Sequence, residues 1–237
     1  EMMNRKAAQL GMKDTHYTNP TGLPDPKNYT TAEDIAILSR HIINDHPQYY
    51  HLYGQKNYTY NKIKQDNRNR LLWRNASIDG LKTGHTKEAG YCLASSEKRG
   101  NIRFIAVVLG ADKESDRYDA SQALFNYGFA QFEETVVIKE GQNLSAVPVY
   151  KGTVNEINVR PQHDVKLMLP VSDKSKVVVS LDLNKPIIAP LTAGQEIGTI
   201  RVKIGDKVYA TLPAIAGEAV DKAGFFKRSW HSIKLLF

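Results

Sequence analysis

The sequence predicts an α/β (α+β) domain in which helices cover an antiparallel sheet, followed by an all-β domain and an amphipathic C-terminal helix. Three observations predict it. Apolar residues recur at helical spacing between residues 31 and 44. Two apolar runs joined by a short polar turn follow near residue 100. Beyond about Glu134, valine, isoleucine and threonine rise, and Gly or Pro arrives about every 8 to 12 residues. The expected divisions are 1–133, 134–217 and 218–237.

The opening residues, EMMNRKAAQLG, read as a helix with Ala7, Ala8 and Leu10 and a stop at Gly11. A chain that begins inside an amphipathic pattern reads as part of a longer one. Asn19 to Pro26 holds three prolines and a glycine in eight residues, so a fixed irregular loop is expected there. Thr31 and Asp34 form a capping-box-like start for a core helix over Thr31–Asn44 with Ile35, Leu38, Ile42 and Ile43 at helical spacing, closed by Pro47. Tyr91–Ser96 and Ile102–Leu109, joined by a polar segment containing Gly100, read as an antiparallel hairpin. Both alternating sets of the second run are apolar, which predicts a strand covered on both faces. A helix over about Glu114–Phe132 carries Ala120, Leu124 and Tyr127 along one stripe. In the later part, Ile200, Val202 and Ile204 alternate with Arg201 and Lys203, Gly205-Asp206 turns the chain, and Val208, Ala210 and Leu212 resume the alternation. In the last segment Phe226, Trp230, Ile233 and Phe237 fall within about 60° of one another on a helix. Lys227, Arg228, His231 and Lys234 lie off that stripe, and no acidic residue follows Asp221. This is the pattern of a helix lying in a lipid headgroup layer.

Composition narrows the classes. One cysteine, Cys92, excludes a disulfide framework and sits in an apolar run where a small buried side chain is expected. With 16 Gly and 10 Pro among 237 residues, the chain is neither collagen-like nor low-complexity. A net charge of +7 suits an acidic partner such as nucleic acid, anionic lipid or an anionic polymer, and does not choose among them. His41, His46 and His51 are five apart, a spacing that does not stack metal ligands on one helix face, so no metal is expected. There is no Walker loop and no GxGxxG before a helix, and aromatic residues are not interleaved with basic ones; no nucleic-acid partner and no cofactor are expected.

The informative motif is Asp79-Gly80-Leu81-Lys82-Thr83-Gly84-His85-Thr86, just before the apolar hairpin. A strand edge bearing Lys82 and Thr83 with Gly84 beside them can admit a substrate backbone closely while presenting an ammonium and a hydroxyl to a carboxylate. With Lys82-Thr83-Gly84-His85-Thr86, Asn67-Arg68-Asn69, Leu71-Leu72-Trp73, Thr31-Ala32-Glu33-Asp34 and Gly224-Phe225-Phe226, the chain resembles, over its whole length, the low-molecular-mass penicillin-binding proteins that are D-alanyl-D-alanine carboxypeptidases.

That resemblance implies part of a transpeptidase domain of the penicillin-binding and β-lactamase-like kind. It also implies a stalk of β structure and a membrane anchor formed by Phe226, Trp230, Ile233 and Phe237. The implied reaction is acyl transfer by a serine nucleophile, sensitive to β-lactams, acting on peptidoglycan stem peptides that end in D-Ala-D-Ala at the periplasmic face of the inner membrane. Lys82 and His85 are the implied catalytic residues, Lys82 through its positive field and His85 through its backbone N–H as an oxyanion donor. Thr83, Gly84 and Arg68 are the implied substrate-binding residues. The sequence departs from the family in holding Ser-x-x-Lys only at Ser95–Lys98, after the Lys-Thr-Gly motif, and in having no Ser-x-Asn. Thr21-Gly22 stands where the family has His-Gly. The nucleophile is therefore expected upstream of Glu1, and the alternative is a noncatalytic wall-binding or scaffolding protein.

Overall fold

Gly11 determines where the first helix stops. Helix α1 (Met2–Leu10) ends on Gly11 in the left-handed conformation, φ 83°, with its N–H returning to the carbonyls of Ala7 and Ala8. Glycine takes that conformation without a Cβ clash. The computed structural model describes residues 1–236, and the chain divides into two units, Glu1–Ala130 and one beginning at Gln131.

In the first unit, helix α2 (Ala32–Asp45) is capped by Thr31, whose hydroxyl accepts the Asp34 N–H at 3.2 Å. The buried Asp34 carboxylate accepts in turn from the Asp14 N–H at 2.8 Å and the Thr15 hydroxyl at 2.6 Å. One cap thus ties the helix to the chain that precedes it. The Pro-rich stretch is irregular as expected, with Asn19 Oδ1 accepting from the Gly22 N–H and the Thr21 hydroxyl. Pro47 opens a short helix α3 (Pro47–Tyr50).

A feature absent from the sequence reading comes next. Strands β1 (Asn57–Tyr60) and β2 (Ile63–Asp66) form a two-residue hairpin in which Asn61 and Lys62 both have positive φ, 47° and 63°. Such a turn matches the twist of its strands, but Asn-Lys lacks the glycine that usually announces it.

After a single turn, α4 (Leu71–Arg74), strands β3 (Ile78–Thr86), β4 (Gly90–Arg99) and β5 (Ile102–Ala111) form an antiparallel sheet in that order. Helix α5 (Glu114–Gln131) follows. Leu71, Leu72, Ile78, Leu93, Ala106, Tyr118 and Phe125 make the core of this unit. Helix α5 buries Arg117, Tyr118, Ser121, Phe125 and Gly128, while Ala120, Leu124 and Tyr127 face outward. The apolar stripe read from the sequence is therefore the exposed side. Close approach decides the matter: a Cβ at Gly128 would lie 3.3 Å from the Phe104 ring, so the glycine lets helix and strand meet. Strand β5 is also less covered than expected. Ala106 is buried, but Leu109 is 39% exposed, because a groove separates α2 from this face of the sheet.

The second unit is built on a five-stranded antiparallel sheet, and its strands are β6 (Phe132–Ile138), β7 (Ser145–Pro148), β8 (Glu156–Pro161), β9 (Val165–Pro170), β10 (Val177–Leu183), β11 (Glu196–Ile204) and β12 (Lys207–Ala216). The sheet order is β10-β11-β12-β8-β7, and β6 pairs with β9. Ile138, Ile157, Val159, Ile200, Val202 and Val220 are among its buried core. The β11–β12 hairpin has the expected buried face at Ile200 and Val202, but a register shift after Val202 pairs Val208 with Lys203 and leaves Val208 46% exposed. A bulge of this kind moves side chains to the other face. Helix α6 (Phe225–Lys234) lies on this unit. His231 Nδ1 accepts the Lys151 N–H at 2.7 Å and Lys227 Nζ donates to the Thr153 carbonyl at 3.2 Å. Phe226, Trp230 and Ile233 remain 87%, 63% and 53% exposed. Phe237 lies outside the described residues. Among the described residues, no helix is long and apolar enough to cross a membrane.

Candidate active site at the free edge of the sheet

Strand β3 pairs only with β4 in its sheet, so one edge carries no strand among the described residues. Lys82, Thr83, Gly84 and His85 stand along it, in register with Ala94, Leu93, Cys92 and Tyr91. Lys82 and Gly84 are exposed, Thr83 is buried, and the His85 ring stacks on Tyr91 with centroids 4.0 Å apart. Beside them runs a groove of about 580 Å³ between α2 and the sheet, lined among others by Ile35, Leu38, Ile42, Lys82, Thr83 and Gly84. Cys92, expected to be buried, is half-buried on this groove, since α2 stands off the strand there.

The segment before α4 carries a second cation, Arg68, near enough for its charge to act on Lys82. Asn69, fully buried, donates from Nδ2 to the Gly80 carbonyl at 3.0 Å and accepts the Leu71 N–H on Oδ1 at 3.2 Å. Asn67 donates to the carbonyls of Tyr53 and Gln55 and accepts the Asn69 N–H at 2.9 Å. The two asparagines act as backbone substitutes that fix the loop, and Arg68 between them projects to solvent.

Sequence reasoning missed a third cation, Arg117. It is 3% exposed, and its Nη1 reaches the Gly84 carbonyl at 3.2 Å and the Cys92 carbonyl at 3.5 Å. Its Nη2 donates to Glu114 Oε1 at 2.8 Å and to the Tyr118 hydroxyl at 2.7 Å. The Tyr118 hydroxyl also lies 2.6 Å from the Arg68 carbonyl, so α5 supports both β3 and the Arg68 loop. In sequence, Glu114 and Arg117 look like an ordinary surface pair three residues apart; only the fold directs the guanidinium under Gly84.

These cations act on one another. Burial first, and then the neighbouring guanidinium groups of Arg68 and Arg117, hold the Lys82 ammonium below its ordinary value. Its Nζ donates to the Thr83 carbonyl. Behind the edge, Arg103 grips Asp79 through two bonds of 2.8 and 2.7 Å, and Tyr50 donates to the same carboxylate at 2.9 Å. Burial pushes the Tyr50 hydroxyl well above the usual tyrosine range. This polar cluster fastens the start of β3 to β5 and α3, a rigid base for the residues that follow. Ser95, the serine of the misplaced Ser-x-x-Lys, is fully buried and donates to the Ala106 carbonyl at 3.3 Å.

Comparison with known proteins decides the family. Residues 1–113 match D-alanyl-D-alanine carboxypeptidase and residues 132–222 match the penicillin-binding protein 5 C-terminal domain. The chain is 40% identical over 233 residues to the D-alanyl-D-alanine carboxypeptidase DacA of Haemophilus influenzae, covering 97% of this chain and 59% of that protein. The chain belongs to the D-alanyl-D-alanine carboxypeptidase family. DacC of Escherichia coli is 37% identical over 238 residues, which covers 100% of this chain and 60% of DacC. Penicillin binding protein 5 from Haemophilus influenzae superposes with a TM-score of 0.71 at 38% identity, covering 93% of this chain and 65% of that one. Penicillin-binding protein D2 from Listeria monocytogenes, solved with cefotaxime bound, superposes with a TM-score of 0.51 at 34% identity over 54% of this chain and 53% of its own. The chain thus spans about 59% of the length of the curated relatives it matches. The fold agrees with the family: a partial transpeptidase domain with an antiparallel sheet and helices, a β-rich second domain and a terminal helix.

Proposed function

We propose that this chain is the substrate-binding wall of a serine-type D-Ala-D-Ala carboxypeptidase that removes the terminal D-alanine from peptidoglycan stem peptides. The observation behind the proposal is a free strand edge that carries Lys82 beside a groove, with Arg68 and the buried Arg117 close enough for their charges to act on its ammonium. Surplus positive charge at an edge able to accept an extended peptide suits a peptide's C-terminal carboxylate. Thr83, Gly84 and Arg68 bind that terminus, and Lys82 supplies the field in which the nucleophile's proton moves. Hydrogen-bonding direction alternates along a strand, so the His85 N–H points away from the Gly84 carbonyl that Arg117 holds. That geometry suits an oxyanion donor; losing one such donor costs about 2.7–4 kcal/mol of barrier.

The serine and its base come from polypeptide that this sequence does not contain. In the reaction, the serine oxygen attacks the penultimate D-alanyl carbonyl, the terminal D-alanine leaves with the serine's proton, and water then releases the acyl group. β-Lactams take the same route and stall it. In the second unit, α6 presents Phe226, Trp230 and Ile233 to a lipid surface with Lys227, Arg228 and Lys234 around them. An interfacial helix of this kind supports a reading in which the protein works at the periplasmic face of the inner membrane.

The test is covalent labelling by a fluorescent penicillin of this 237-residue chain and of the longer protein that contains it. Label on the longer protein alone, lost in Lys82→Ala, is the expected result. No label on either turns the assignment to a noncatalytic wall-binding protein.

A further inference from the structure

We propose that the β1–β2 hairpin is a docking surface for the carboxylate-bearing glycan-peptide polymer whose peptide ends the neighbouring site trims. This rests on the function proposed above and extends it from the peptide terminus to the polymer behind it. Cross-strand register places Tyr60 opposite Ile63 and Tyr58 opposite Gln65, on one face. Tyr58, Tyr60 and Ile63 are 64%, 72% and 60% exposed. A face this apolar, left uncovered in a two-stranded ribbon, is the kind of exposed patch that marks a binding surface.

Charge complementarity selects the occupant. Residues 56–70 hold five cations, Lys56, Lys62, Lys64, Arg68 and Arg70, against one carboxylate, Asp66. Among the described residues no ion pair engages Lys56, Lys62 or Lys64, and Asp66 sits 3.9 Å from Arg70. Trp73, 43% exposed, lies under Arg70 and Lys56, whose charges stand 5.4 and 6.0 Å from its ring. A second copy of so basic a surface would be repelled. The same register puts Lys64 on the opposite face and Lys62 in the turn, so a polymer that alternates apolar sugar faces, hydroxyls and peptide carboxylates lays its sugars on the tyrosines, which offer an apolar body with a polar tip, and brings its carboxylates to the long lysine stems around the turn.

The surface is also preformed and continuous with the site. The positive-φ turn sets the hairpin's twist, and its base is closed by the Asn67 N–H on the Lys56 carbonyl at 2.7 Å. Little conformational freedom is left to lose on binding. Arg68 follows the end of β2 by two residues, so polymer lying on the hairpin leads its peptide toward the free edge of β3.

Co-sedimentation of the full chain with purified peptidoglycan sacculi tests this, using Tyr58→Ser/Tyr60→Ser and Lys62→Ser/Lys64→Ser as separate double variants. All four residues are exposed, and thermal melting checks that each variant is folded. The unaltered chain sediments with sacculi and is released by salt, and each double variant binds about tenfold more weakly. Variants that sediment like the unaltered chain overturn the proposal, as does an unaltered chain that stays in the supernatant. So does a loss confined to anionic vesicles or duplex DNA. Penicillin labelling of the longer protein with its hairpin unaltered reports separately on acyl transfer, so the failure of one reading is distinguishable from the failure of the other.

Discussion

Replacing Asn69 by alanine should loosen the site from beneath. The side chain is fully buried, and it is the partner of two main-chain groups, the Gly80 carbonyl at 3.0 Å and the Leu71 N–H at 3.2 Å. A buried polar group left without its partner costs about 1–3 kcal/mol. Losing both partners should cost about 2–4 kcal/mol, somewhat less than the sum, because the vacated space admits partial relaxation. At about 3 °C per kcal/mol for a domain of this size, melting of the first unit should fall by about 6–12 °C in calorimetry of Asn69→Ala. Asn69→Asp sharpens the test. It keeps an acceptor for Leu71 but sets a carboxylate against the Gly80 carbonyl, so its pKa in the folded state rises above the unfolded value. Stability is then present at low pH, where the protonated acid can donate, and is lost as pH climbs through the folded pKa. An Asn69→Ala variant melting within about 1 °C of the unaltered chain, or an Asn69→Asp variant indifferent to acid, would refute the reasoning.

Lys82→Gln should stabilise the chain at neutral pH. A lysine whose folded pKa is depressed leaves the unfolded state holding more protons between that pKa and the ordinary value of 10.5, so stability rises with pH there. The melting advantage of Lys82→Gln should therefore shrink as pH rises through that window, and a pH-independent advantage would contradict the depressed ammonium. Gly80→Ala drives a Cβ to within 2.7 Å of the Tyr50 hydroxyl and should cost about 1–3 kcal/mol in chemical denaturation; an unchanged midpoint would mean that the contact yields. Gly84→Ala meets only Cys92 at 3.8 Å, so melting should hold while penicillin acylation of the longer protein slows, and equal acylation would remove Gly84 from the substrate path. Trp230→Ala should release the chain from anionic vesicles in flotation, and persistent binding would move the membrane contact to the β strands.

How far these features could be read beforehand depended on whether the signal was local. The cap at Thr31, the turn at Gly100 and the Gly205-Asp206 turn each involve neighbours in sequence, and all three were legible. Lys82-Thr83-Gly84 stood out by its residue types and by resemblance. Arg117 did not, because its partners Gly84 and Cys92 are 33 and 25 residues away, and nothing in the Glu114-to-Tyr118 stretch advertises them. The β1–β2 hairpin escaped because all eight of its strand residues are exposed, so neither face supplies the alternation by which strands are read. On α5, periodicity found apolar residues at Ala120, Leu124 and Tyr127, but the buried face is chosen by Tyr118, Phe125 and the gap at Gly128. The Val208 reversal followed from a bulge, which inserts a residue without altering composition.

An open strand border is also a template on which other chains can add, and proteins commonly guard such borders with lysine. Lys82, exposed on the border of β3 where a substrate would lie, serves as that guard as well. An apolar replacement there removes the charge that the proposed chemistry uses and, in the same stroke, the repulsion that keeps molecules from stacking edge to edge. Inactive variants made at this position should therefore be neutral and polar, lest self-association be mistaken for lost affinity.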